Sequence, residues 1–230
     1  MTYGSIVNKI LFEVYGDTTA EASVGENLRG SEGIIGNIQR QIQEEHDYWF
    51  MEDSDTITLV DGTTSYDLNL TNEFKKEITL RIIDQDGIFY APLTKLFRGQ
   101  PEGAEYIYQD TVDMPQFYYI SWNATLQQIT LYPTIDFTAP DTRTLDIRYY
   151  GYLDKLSDNT TTFNANSDRL SIEAPYLIIY KATAQLCQTL DYLDKMQLSE
   201  VRAAAELKKF KSKDWQIKDA NIPRISYKGI

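Results

Sequence analysis

Apolar positions change their period twice along this chain. Ile6, Val7, Ile10, Leu11 and Val14 recur at helical spacing, which predicts a short amphipathic helix that Gly16 can end. The polar, glycine-containing stretch 16–30, with Thr18, Thr19 and Ser23, predicts a loop. Ile34, Ile35, Ile38 and Ile42 then form one stripe, with Arg40, Gln41, Gln43 and Glu44 on the rest of the cylinder. Ser31 stands where an N-cap belongs, while Gly33 and Gly36 weaken the start of that helix.

From about residue 55 the period becomes two. Thr56–Val60 alternates, Asp61-Gly62 reads as a turn and Ser65–Leu68 alternates again, which is a hairpin signal. Further strands are expected at Glu77–Ile83, Gly87–Ala91, Phe117–Trp122, Leu126–Tyr132 and Arg143–Tyr152, with a tight turn at Asn123-Ala124. Pro92 to Gly99 reads as a short helical detour before a Gly- and Pro-rich loop. Strands and helices do not alternate, so a doubly wound fold is not expected.

After a polar linker, 153–168, the helical period returns. Pro175 suits a first helical turn, and the run from Leu177 through Ile178, Ala182 and Leu186 to Leu190 is apolar nearly all round, the mark of a buried helix. A second helix, Gln197 to Trp215, carries Leu198, Val201, Ala205, Leu207 and Phe210 as its apolar face. The expected fold is therefore α+β: N- and C-terminal helices form a bundle with an antiparallel sheet or sandwich inserted between them. The expected divisions are 1–54 (N-terminal helices), 55–152 (β domain), 153–215 (linker and C-terminal helices) and 216–230 (extended tail).

Composition narrows what such a fold can do. The 230 residues carry 34 acidic against 22 basic side chains, a formal charge of −12, which disfavours a surface built to grip nucleic-acid phosphate. Charge is uneven: residues 1–150 are net −14, while 151–230 are net +2, led by Lys208, Lys209, Lys211, Lys213 and Lys218. Seventeen tyrosines, nine phenylalanines and three tryptophans suit pleated surfaces and protein interfaces. The N-terminus lacks a signal-peptide pattern, and the greasy stretch near Tyr176–Ala184 is too short to span a bilayer, so the expectation is a soluble protein made in the cytosol.

Candidate chemistry is thin. One cysteine, Cys187, excludes an internal disulfide and CxxC sites, and one histidine, His46, excludes multi-histidine metal sites. His46 lies in Glu44-Glu45-His46-Asp47 with no nucleophile motif beside it, so it reads as a boundary histidine rather than a base. Asp53-Ser54-Asp55 has a trace of calcium-loop spacing without the later Gly and Glu, and reads as the solvated start of a strand. Gly30–Gly36 is glycine-rich, but it has neither a dinucleotide pattern nor a Walker lysine, and Glu32 would repel phosphate. No catalytic, cofactor-binding or metal residue is assigned, and no cofactor is expected. A carboxylate hydrolase with two facing acids, or a β-sandwich module that binds carbohydrate or a receptor through Trp122 and exposed tyrosines, are the competing readings.

Five phrases, in this order, resemble the head-to-tail adaptor proteins of tailed bacteriophages, including their tail tubular protein A branch. They are Ile38–Phe50 with its Trp49-Phe50 pair; Thr56–Leu59 followed by Tyr66-Asp67-Leu68 and Phe74-Lys75-Lys76; Pro115–Tyr119 with Trp122 and Ile129–Pro133; Leu145–Tyr150; and Ala174–Tyr180. The first looks like the family's helix ending in a Trp-Phe pair. The resemblance implies a virion structural protein without catalytic residues, assembled in the host cytoplasm. It implies a ring, usually of twelve copies, that sits under the portal protein and touches neighbouring adaptor subunits and a downstream tail or nozzle protein. DNA would pass through without sequence-specific binding, and no membrane is involved. Candidate portal-docking residues are the apolar anchors Ile217, Ile222, Ile225 and Tyr227 with the basic Lys218, Arg224 and Lys228.

Overall fold

A computed structural model describes residues 3–18, 28, 33–97, 100–108, 113–123, 126–137, 141–153 and 169–221. The fold is α+β, helices plus an inserted sheet region. Two compact units partition the chain: residues 1–51 with 152–230, and residues 52–151.

In the first unit, α1 (Tyr3–Tyr15) buries the expected stripe of Ile6, Val7, Ile10, Leu11 and Val14, together with Tyr3. Gly16, at φ 76°, ends it by donating its N–H to the Phe12 carbonyl at 2.8 Å, a left-handed cap that glycine adopts without a Cβ penalty. Most of the expected loop 16–30 lies outside the described residues; Leu28 within it is fully buried, and its carbonyl accepts from the Tyr3 hydroxyl at 3.3 Å. Helix α2 (Ile34–Glu45) is capped by Gly33 without a side-chain hydrogen bond, and Ser31 lies outside the described residues. Gln43, expected on the polar face, is buried instead, because its side-chain oxygen accepts the Leu153 N–H at 2.7 Å. The expected helix through Phe50 stops at Glu45, and Trp49–Met51 form a separate 3-10 turn.

In the second unit, β1 (Glu52–Thr58), β2 (Ser65–Asp67), β3 (Glu73–Ile83), β4 (Thr94–Lys95), β5 (Phe117–Asn123), β6 (Leu126–Tyr132) and β7 (Thr144–Tyr152, whose last residue belongs to the first unit) form two sheets, ordered β1-β7-β3 and β2-β6-β5-β4. The expected β1–β2 hairpin is absent. β1 pairs with β7 (Asp55 opposite Ile147) and β2 with β6 (Tyr66 opposite Ile129). The turn signal was real, but the turn carries the chain from one sheet to the other: the Tyr66 hydroxyl donates within 3.1 Å to the carbonyls of Val60 and Thr63 and accepts the Val60 N–H. Nor is every pairing antiparallel, since β4 runs parallel to β5. The expected strand Gly87–Ala91 is reduced to one bridge, Ile83 to Phe89, and the expected helical detour 92–99 holds β4. The helix comes later, as α3 (Gln100–Tyr108), with Pro101 in the first turn where its missing N–H costs nothing. One core draws on both sheets: Leu80, Ile82, Leu145, Ile147 and Tyr149 from one, Tyr66, Tyr118, Ile129 and Leu131 from the other.

Asp53 and Asp55 are half-buried, and their carboxylates are engaged as well as partly solvated. The Asp55 carboxylate accepts the Thr71 N–H at 2.6 Å and the Tyr149 hydroxyl at 3.2 Å, and Asp53 accepts from the Asn72 amide at 2.6 Å. The two acids thus tie the β2–β3 loop to β7.

The chain re-enters the first unit at Tyr152, over whose ring the Arg40 guanidinium sits 3.3 Å from the centroid. After α4 (Arg169–Glu173), helix α5 (Pro175–Thr189) buries Leu177, Ile178, Ile179, Ala182, Thr183, Ala184, Leu186 and Cys187, the expected all-round pattern. It packs against α1, α2, α4 and the final helix α6 (Leu193–Asn221). Two expectations for α6 are corrected. The helix continues through residues 216–221, where an extended tail was expected, and it turns Leu198 and Val201 to solvent while burying Ser199, Ala203, Phe210 and Asp214.

Burial pushes the Tyr149 phenol up to about 12, with Asp53 and Asp55 adding to the rise and the Asn72 N–H opposing it. A folded value above the unfolded one means full stabilisation below about pH 10, lost as pH climbs from 10 through 12. Tyr149→Phe should lower unfolding free energy by about 1 kcal/mol at neutral pH and make that alkaline loss shallower, read from urea midpoints against pH. Gly151→Ala should cost about 1–3 kcal/mol, because the new Cβ would lie 2.7 Å from Asn72 Cβ.

Candidate functional site

The residues that could carry chemistry converge where α2 gives way to the turn 46–51 and α6 passes it. His46, extended at φ −156° and ψ 150°, ends α2. Asp214, on the inward stripe of α6 and almost fully buried, lies 2.9 Å from His46 Nε2 and accepts the Trp49 N–H at 2.7 Å. One turn on, Lys218 Nζ lies 3.4 Å from the same carboxylate and donates to the Asp47 carbonyl. A buried carboxylate survives only when its lone pairs are filled, and here a backbone N–H, an imidazole and an ammonium fill them.

Beneath this polar cluster lies an aromatic one. Tyr48 is fully buried, with His46 edge-on at 4.7 Å, Phe50 stacked at 5.4 Å and Phe210 of α6 at 4.7 Å between ring centroids. Burial raises the Tyr48 phenol above its ordinary value, and the negative charges of Glu45 and Asp214 add to the rise. Among the described residues its hydroxyl has no hydrogen-bond partner. The arrangement fastens a turn to a helix: the aromatic rings supply apolar burial and Asp214 supplies direction.

The sequence-derived candidates fare unequally. Ile217 and Lys218 lie in α6, half-buried, with the Lys218 ammonium turned onto the 46–49 turn. Ile222, Arg224, Ile225, Tyr227 and Lys228 lie outside the described residues, as does the Trp122 side chain on which a carbohydrate platform would rest. Cys187 is buried, and burial raises its thiol, partly offset by Lys195. Among the described residues no group of three or more His, Cys, Asp or Glu side chains could hold a metal ion, and no helix is long and apolar enough to cross a membrane. Asp214 and Tyr48 were missed in the sequence. An acid at position 214, four residues after Phe210 on the same face, was the available signal.

Exposed apolar side chains mark two surfaces. In the sheet unit Ile88, Phe89 and Tyr90 are exposed in succession behind a turn that Asp84 holds, its carboxylate accepting the N–H groups of Asp86 and Ile88 at 3.0 and 2.9 Å. In the helical unit the exposed residues are Leu198, Val201 and Trp215 of α6.

This is the architecture of a structural α+β protein whose polar site fastens backbone. The chain belongs to the SU10 adaptor protein family, whose profile matches residues 1–220. It is a phage adaptor, a structural component of the virion. No curated protein matches the chain.

Asp214→Ala should cost about 2–3 kcal/mol, since it removes the acceptor of the Trp49 N–H and a counter-charge of Lys218, and Asp214→Asn should cost less. Tyr48→Phe should be at least as stable as wild type because it removes an unpaired buried hydroxyl, whereas Tyr48→Ala should lose about 3–5 kcal/mol. Thermal and urea unfolding of the four proteins would test both statements.

Proposed function

We propose that this adaptor assembles as a ring, twelve copies by the resemblance, seated under the portal protein and extending the DNA channel to the downstream tail or nozzle protein. The observation that carries the reading is the family match over residues 1–220. Charge supports it: residues 52–151 hold 16 acidic and 7 basic side chains, and a wall of that sign repels duplex phosphate and lets DNA slide. The exposed Ile88-Phe89-Tyr90 run, held by the Asp84 turn, suits contact with the downstream partner. Like charge also opposes crowding acidic subunits around an axis, so the portal serves as template.

Portal attachment is assigned to the C-terminal segment, in a narrower form than sequence alone gives. Lys218 is engaged by Asp47 and Asp214, which leaves Ile222, Arg224, Ile225, Tyr227 and Lys228, with half-buried Ile217 at their base. Two truncations separate the roles. Removing 222–230 should leave folding intact and abolish attachment to portal-bearing heads. Removing 216–230 also deletes Lys218 and should lower the unfolding temperature. Native mass spectrometry should show rings only with portal present. Rings that form without portal, or heads that still accept the 222–230 truncation and become infectious, would overturn the respective parts of this reading.

A further inference from the structure

The sheet unit holds the chain's two Asp-Gly pairs, Asp61-Gly62 and Asp86-Gly87, and the sequence has no Asn-Gly pair. Both pairs occupy exposed turns, both glycines take the left-handed conformation (φ 69° and 78°), and a side chain at either glycine would meet open space. Such a pair carries its own chemistry. With no side chain on the following residue, the glycine nitrogen can reach the aspartate carboxyl carbon. A C–N bond forms, the amide gives up its proton and the carboxyl, in its acid form, gives up its hydroxyl, so one water leaves. The five-membered succinimide then takes up a water at either carbonyl. Opening at one restores aspartate; opening at the other runs the main chain through the side chain, giving isoaspartate of unchanged composition. Closure requires that the carboxylate and the glycine N–H be released from whatever holds them.

The two turns differ in that respect. The Asp61 carboxylate accepts the Phe137 N–H at 3.0 Å, and the Gly62 N–H donates to the Ile135 carbonyl at 3.1 Å. Both groups that must react are tied to a distant segment of the chain. At the second turn the tie is local, since the Gly87 N–H donates to the carbonyl of Asp84, three residues back, at 3.1 Å. Asp84 also supplies the carboxylate that holds this turn, accepting the N–H groups of Asp86 and Ile88 at 3.0 and 2.9 Å. Among the described residues nothing donates to the Asp86 carboxylate.

We propose that Asp86-Gly87 is a site of spontaneous main-chain modification in the folded protein, closing to a succinimide and reopening as isoaspartate, while Asp61-Gly62 is protected by its tertiary hydrogen bonds. The product matters because of where it forms. Isoaspartate puts one more carbon into the main chain between Asp84 and Ile88, so the Gly87 and Ile88 N–H groups can no longer both meet Asp84. The turn that presents the exposed Ile88, Phe89 and Tyr90 then loses its shape. That this weakens a tail contact rests on the adaptor reading; the chemistry does not.

The full chain incubated in water enriched in heavy oxygen takes up label at each succinimide opening, and peptide mapping with electron-transfer fragmentation locates both the label and the isoaspartate. Position 86 should label about fivefold or more faster than position 61, because opening a tertiary hydrogen bond slows closure by about that factor. In urea, where neither turn persists, the two positions should label at the same rate. Asp86→Glu, which would have to close a six-membered ring, should lose the label at 86 and keep the slow one at 61. Equal labelling in the folded chain, faster labelling at 61, or a difference that survives in urea would each overturn the proposal. Heads assembled with wild-type protein aged until isoaspartate accumulates should yield fewer infectious particles than heads carrying Asp86→Glu aged alongside. If isoaspartate forms and the yields are equal, the modification stands and the assignment of the tail contact to Ile88–Tyr90 falls.

Discussion

The helical unit depends on one buried carboxylate. Asp214 lies on the inward stripe of α6, where an unpaired charge would cost several kcal/mol, and the groups that repay that cost among the described residues are the Trp49 N–H, His46 and Lys218. Satisfying Asp214 therefore fixes three things together: the rotation of α6, the path of the chain as it leaves α2, and the placement of Tyr48 against Phe210. Apolar burial alone would allow α6 to slide or rotate by small amounts. A carboxylate with directional partners does not.

A second constraint of the same kind operates in the sheet unit. β1 is an edge strand in which no residue is fully buried, and its inward positions are Asp53, Asp55 and Ile57. Acids at inward positions look like a patterning error until their partners are counted. They hold the Thr71–Asn72 backbone and the Tyr149 hydroxyl, and so secure a loop that Gly151 approaches closely enough to exclude any side chain. In both units the polar groups that resemble catalytic or metal-binding chemistry in the sequence serve to position backbone.

Periodicity made the helices and most strands legible. The α1 stripe, the all-round apolar α5 and strands β5, β6 and β7 lie within a residue or two of where the periodicity placed them, and in α1, α5 and β7 most of the buried set is drawn from the apolar positions. Where reading failed, that coincidence failed. Local alternation fixed the faces of β1 and β2 but could not say that their partners, β7 and β6, come about 90 and 60 residues later, so an Asp-Gly turn passed for a hairpin. On α6, Leu198 and Val201 were assigned to the core because they are apolar, yet the core side is Ser199, Ala203, Phe210 and Asp214. Small residues there allow close packing on α5, and the acid has work that only its distant partners reveal.

The candidate site was less legible than the fold for a related reason. His46 was visible as the sole imidazole, and its bland reading as a boundary histidine agrees with its contact to Asp214, but the carboxylate lies 168 residues away and no spacing rule connects them. The Trp49-Phe50 pair was read as the end of a helix, whereas the turn 46–51 is where the helix has already stopped and its aromatic rings can gather round Phe210. Lys218 shows the sharpest consequence. As part of an extended tail it is a free cation for an acidic partner; one turn beyond Asp214 on a continuing helix, its ammonium reaches the Asp47 carbonyl and the same carboxylate. Whether the helix ends at 215 or at 221 therefore decides whether that charge serves recognition or holds the subunit together, and its hydrogen bonds assign it to the subunit.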